Sequence, residues 1–104
     1  MSKITLSIAM GDYDRTRAIH DGRVQIDGVD PVTMLQVPEE MFFRSFRHHA
    51  YDASEISFSS YVVSLTRPDP HYIAIPVFLS RAFRHTSIYI NTQKGIEKPE
   101  DLKG

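Results

Sequence analysis

The sequence contains no cysteine. That excludes a disulfide scaffold, a thiolate metal site and a cysteine nucleophile. No apolar run approaches the length needed to span a bilayer. An excess of one charge is missing as well: 12 Lys plus Arg against 13 Asp plus Glu leave a formal net charge of -1. Such a balance argues against bulk attachment to nucleic acid or to an anionic membrane, so neither is expected as a partner. Glycine-rich phosphate loops, G-x-S-x-G and H-x-x-x-H spacings are all absent, and neither a metal nor an organic cofactor is signalled. There is no internal repeat and no low-complexity tract. Residues 1–5 read as the start of a strand rather than as the basic stretch and long apolar run of an export signal, so a cytoplasmic location is expected.

What is present suits one domain with a modest core: 104 residues, 41% hydrophobic and 24% charged. Lysine is scarce, four residues against eight arginines. Arginine is the planar, bidentate partner of carboxylates and phosphates, so anion binding would come from a local cluster of it.

Residues 3–9 alternate, with Ile4, Leu6 and Ile8 against Thr5, Ser7 and Ala9, which predicts a strand. A polar loop follows at 11–14, and Asp14 is placed to cap a short helix over 15–20 that stops at Asp21-Gly22. Apolar runs at 24–26 and 32–37 flank a turn cluster at 27–31 and read as two strands. Pro38 with Glu39 and Glu40 opens a second helix, whose inward stripe is expected to be Met41, Phe42, Phe46 and Ala50. A short strand is expected within 51–56, a helix over 57–65 with Phe58, Tyr61, Val62 and Leu65 inward, and strands at 72–78 and 86–91. A further element opens at 99–102 with nothing after it to pack against, so a longer parent chain is expected. The alternation predicts an α/β fold with a mixed, mostly parallel sheet and helices on both faces.

In open α/β sheets ligands sit beyond the carboxyl ends of the strands. Three polar segments follow predicted strands: 11–15, 54–61 and 80–85. In the second, Ser57, Ser59 and Ser60 stand at a strand-to-helix junction and suit capping first, with anion binding as the alternative. Glu55 beside them needs an arginine partner or a proton. In the third, Arg81, Arg84 and His85 bring three potential cations within five residues. The residues alone leave that segment open between an anion site and a solvated turn. Phe78 and Phe83 are expected to bury themselves and hold it in place. His20, His48, His49 and His71 are scattered and lack metal-ligand spacing.

Asp14-Arg15-Thr16, Asp21-Gly22, Phe42-Phe43-Arg44, Asp52-Ala53-Ser54-Glu55-Ile56-Ser57, Ile75-Pro76-Val77-Phe78, Ser80-Arg81-Ala82-Phe83-Arg84-His85 and Asp101-Leu102-Lys103-Gly104 occur in this order. Together they resemble the amino-terminal part of the 4,5-dihydroxyphthalate decarboxylase family. Its members are similar to two-lobed (type 2) periplasmic substrate-binding proteins. The resemblance implies that residues 1–104 form an incomplete first lobe, with the second lobe absent, and that the ligand lies in the cleft between lobes. It implies a small aromatic dicarboxylate as substrate, a carboxy-lyase reaction giving protocatechuate and CO2 in the full-length protein, and no cofactor. The implied roles are Arg81 and Arg84 on the carboxylates with Arg15 as a third candidate, Ser57 and Ser59 on hydroxyls or carboxylates, and His85 in proton transfer, with Glu55 as the alternative, either as acid/base or as the group that orients a cation. A non-catalytic solute-binding protein feeding an ABC transporter is the alternative, and a regulatory ligand-binding module a third. Homo-oligomerisation is left open, because apolar surfaces meant for an absent lobe can associate.

Overall fold

The computed structural model describes residues 2–103. Strand β1 (Ile4–Met10) leads into helix α1 (Asp14–His20), strand β2 (Val29–Leu35), helix α2 (Pro38–His48), the two-residue strand β3 (Ala53–Ser54) and helix α3 (Phe58–Ser64). Beyond them lie three single turns of tight helix, at His85–Ser87, Thr92–Lys94 and Pro99–Leu102. The sheet order is β2-β1-β3 and every pairing is parallel: Ile4 to Met10 face Val29 to Leu35, and Ile8 and Ala9 face Ala53 and Ser54. The chain is thus an α/β protein with an open sheet, compatible with part of one lobe. Because β2 and β3 flank β1 on opposite sides, the right-handed crossover rule assigns α1 and α2 to opposite faces.

The core is small. Ala9 and Met41 are fully buried, Tyr51 nearly so, and Met34 and Phe42 pack against them. On α2 the inward positions are Met41 and Ser45 rather than the expected run of Met41, Phe42, Phe46 and Ala50; Phe42 and Phe46 are half-buried and Ala50 is exposed. Ser45 is tolerated there because its hydroxyl donates to the Met41 carbonyl (2.8 Å) and meets the Ser54 hydroxyl (2.8 Å), which ties α2 to β3. No residue of α3 is buried, against the expected inward stripe.

Three strand expectations fail for a shared reason: a strand needs a neighbour, and periodicity does not supply one. Residues 24–26 instead lie in the loop after α1, with the Val24 amide bonded back to the Ala18 carbonyl (2.8 Å), and the strand begins at Val29. Pro31 within β2 is compatible with an edge position, since it has no amide to offer. Residues 72–78 and 86–91 pair with nothing among the described residues; a tight turn closes over Pro76, with the Val77 amide on the Ile75 carbonyl (2.7 Å). The chain is accordingly elongated, 64 × 37 × 22 Å with a radius of gyration of 18.4 Å, where a compact domain of this length has about 13 Å. Phe78 and Phe83 do not bury: they are 70% and 89% exposed.

Candidate functional site

The carboxyl ends of β1 and β3 lie side by side where the strand order reverses, the position at which open α/β sheets bind ligands. Both loops there are polar. The Glu55 amide continues the β1–β3 ladder by donating to the Ala9 carbonyl (2.9 Å). That sends the half-buried Glu55 carboxyl back over the end of β1. Its Oε2 accepts from the Gly11 amide (3.1 Å) and its Oε1 from the Tyr13 hydroxyl (2.8 Å). A Cβ on Gly11 would stand 2.6 Å from the Tyr13 ring, so a larger residue there would push the ring aside. Burial above all, and then the bond to Glu55 and its charge, raise the Tyr13 pKa above the ordinary 10.0, while Ser80 and Arg15 oppose the rise.

Tyr13 is also the cap of α1, a role expected of Asp14, which instead occupies the first helical position and accepts from the Arg15 amide (2.9 Å). Tyr13 has no capping oxygen of suitable reach, so Thr16 supplies the polar closure. The buried Thr16 hydroxyl accepts from the Tyr13 amide (3.1 Å) and donates to the Gly11 carbonyl (2.8 Å).

Arg15 connects this corner to the third segment. Its Nε and Nη2 donate to the Leu79 carbonyl (3.2 and 2.6 Å), its Nη1 pairs with Asp14 (2.9 Å), and its guanidinium lies 5.6 Å from the centre of the Tyr13 ring. The start of segment 79–85 is therefore strapped to the ends of β1 and β3. Arg81, Arg84 and His85 are exposed, and no ion pair among the described residues involves either arginine. Arg84 precedes the single turn His85–Ser87, and the His85 ring stacks on Phe83 with centroids 5.9 Å apart. No hydrogen bond among the described residues joins these three side chains to Glu55.

Ser57 caps α3 weakly, its hydroxyl accepting from the Ser60 amide at 3.5 Å and meeting the Ser59 hydroxyl at 3.0 Å. Ser59 also borders an open depression of about 870 Å³ between α2, α3 and residues 67–72, which includes none of Arg15, Glu55, Arg81, Arg84 and His85. There the His49 and His71 rings lie 3.6 Å apart, and His49 ends α2 at φ 50°, a conformation usually left to glycine. Among the described residues no cluster of His, Asp and Glu suits a metal ion, and no helix is long and apolar enough to cross a membrane.

The structure thus brings Arg15 and Glu55 together through Tyr13, and leaves Arg81, Arg84 and His85 on the outer side of the strapped segment. Tyr13 was hidden in the sequence because it reads as one loop residue among polar neighbours. The usable signal is its place two residues after a glycine that follows a strand.

No protein-family model matches the chain. Two curated relatives do. Over all 104 residues the chain is 62% identical to a 4,5-dihydroxyphthalate decarboxylase from Pseudomonas putida and 61% identical to one from Comamonas testosteroni. It spans 40% of the length of the first and 32% of the second. From end to end, then, the chain is similar to less than half of two 4,5-dihydroxyphthalate decarboxylases.

Proposed function

We propose that this chain forms the ligand-reading part of a decarboxylase acting on 4,5-dihydroxyphthalate, working as one lobe of a two-lobed fold. The observation that carries the reading is the identity of 62% to a protein of that name across the entire chain. The polar corner beyond β1 and β3 supports it, because this is where such a fold would need acid/base chemistry.

The reaction has to avoid a free aryl carbanion. The substrate carries a hydroxyl para to the departing carboxylate. Removal of that hydroxyl's proton lets the ring push electrons to the carboxylated carbon, which then takes a proton. The C–C bond breaks, CO2 leaves, and the bond electrons restore the aromatic ring as a phenolate, which takes back the proton from the base to give a dihydroxybenzoate. One base and one acid suffice. Glu55, held over the end of β1, is assigned the proton at the hydroxyl. His85, an imidazole able to hold and release a proton, is assigned the proton delivered to carbon. Arg81 and Arg84 are free to make charge-assisted hydrogen bonds to the two adjacent carboxylates. Arg15 spends most of its donors on Leu79 and Asp14, so its role becomes fastening segment 79–85 rather than holding substrate. Ser57 and Ser59, two and four positions beyond Glu55, offer hydroxyls to the substrate's polar rim.

The test is to incubate the full-length protein with 4,5-dihydroxyphthalate and follow CO2 release and the aromatic product. Turnover that collapses in Glu55→Gln and in Arg84→Ala supports the reading. Tight binding of the dicarboxylate without CO2 release overturns it in favour of a carrier.

A further inference from the structure

A base at a strand end is useful only if its carboxylate is held in one orientation. Glu55 reaches its position through two side-chain torsions beyond Cβ, and nothing in β3 itself fixes them. Both fixing donors come from a single loop on the neighbouring strand. The Gly11 amide holds Oε2 at 3.1 Å and the Tyr13 hydroxyl holds Oε1 at 2.8 Å. Each carboxylate oxygen accepts along two lone-pair directions, so each keeps one for a substrate hydroxyl.

The Tyr13 residue is constrained by its surroundings. Its backbone amide is bound by the buried Thr16 hydroxyl, the Arg15 guanidinium covers the ring at 5.6 Å, and Gly11 leaves the ring room where a Cβ would stand 2.6 Å away.

We infer that Tyr13 is a positioning residue for Glu55: its hydroxyl sets the carboxylate in the orientation that takes the proton from the substrate's ring hydroxyl. The inference rests on the decarboxylase reading, because it gives Glu55 its task. It also predicts that the arginine over the Tyr13 ring couples the two loops: Arg15 grips Leu79 and Tyr13 at once, so the carboxylate and segment 79–85 are set by the same side chain.

The experiment uses the full-length protein, 4,5-dihydroxyphthalate and a double-mutant cycle. Tyr13→Phe keeps the ring and removes only the hydroxyl. It is expected to lower kcat by about 10- to 100-fold, the range expected when a reacting group is slightly misplaced, with KM within about twofold of wild type. Tyr13→Phe combined with Glu55→Gln is expected to be no slower than Glu55→Gln alone, since Tyr13 acts only through that carboxylate. Gly11→Ala, whose Cβ would crowd the ring and its hydroxyl at 2.6–2.8 Å and push both away from Glu55, is expected to reproduce the kcat loss. A Tyr13→Phe enzyme with wild-type kcat overturns the inference and leaves the decarboxylase reading standing. So do losses that multiply in the double variant, which would mean that Tyr13 acts independently. A wild-type protein that releases no CO2 overturns both.

Discussion

Thr16 is the residue on which the geometry of the strand-end corner depends most directly, and its replacement by valine separates hydrogen bonding from packing. The side chain is 1% exposed. Its hydroxyl accepts from the Tyr13 amide at 3.1 Å and donates to the Gly11 carbonyl at 2.8 Å. Valine has nearly the same shape and leaves no cavity, so the change removes two hydrogen bonds, while the Tyr13 amide and the Gly11 carbonyl keep their own contact at 3.1 Å. Two such bonds contribute about 1–3 kcal/mol net. The new methyl offsets about 0.8 kcal/mol of that by its own burial. Thr16→Val should therefore destabilise by about 0.2–2 kcal/mol, centred on about 1 kcal/mol. Thr16→Ser keeps the hydroxyl and gives up one methyl, about 0.8 kcal/mol. The expected order of stability is wild type, then Ser, then Val, read as urea midpoints at unchanged m-value. For a chain of this length each 1 kcal/mol corresponds to roughly 4–8 °C in Tm. A valine variant at least as stable as the serine variant would refute the reasoning, because packing rather than hydrogen bonding would then govern the site.

Two further outcomes follow from the same physical picture. Met41→Ala opens a cavity in a core with few members and should cost about 2–5 kcal/mol in the same urea assay, whereas Phe43→Ala on the exposed side of α2 should cost under about 1 kcal/mol. Asp52 titrates below its ordinary 3.8 because its carboxylate accepts from the Ser7 hydroxyl and the Ser7 amide. A lowered folded pKa means stability that is complete above the unfolded value and lost as pH falls through the folded one. Urea midpoints of wild type and Asp52→Asn should thus differ near neutrality and converge on acidification below about pH 4; parallel curves down to pH 2 would exclude the linkage.

Local signals were legible in the sequence, and pairings between distant segments were not. The alternation of residues 3–9 and the Pro-Glu-Glu opening of α2 describe their elements almost to the residue, because each depends on neighbours a few positions away. Residues 72–78, an apolar run interrupted by Pro76, and the alternating residues 86–91 form no strand, since a ladder requires a partner that no local pattern reveals. The same limit explains the site. Glu55, Arg15 and Ser57 were identifiable as polar groups after strands. The bond that gives Glu55 its orientation runs to Tyr13, 42 positions earlier, and no spacing rule connects them. Arg81, Arg84 and His85 stood out as a charge cluster, yet what fastens their segment is a backbone carbonyl, that of Leu79, which carries no mark in the sequence.

The register of β3 turns this from a description into a constraint. Side chains along a strand alternate between faces, so a slip of one residue would carry Glu55 to the opposite side of the sheet. Two ladder positions cannot resist such a slip unaided. The register is pinned instead by side chains: Asp52 grips both the hydroxyl and the amide of Ser7 at one end, its own amide donating back to Ser7 Oγ (2.9 Å), and Ser54 meets the buried Ser45 of α2 at the other. Glu55 is the next residue. The serine and aspartate contacts flanking β3 thus decide whether the carboxylate faces Tyr13 at all.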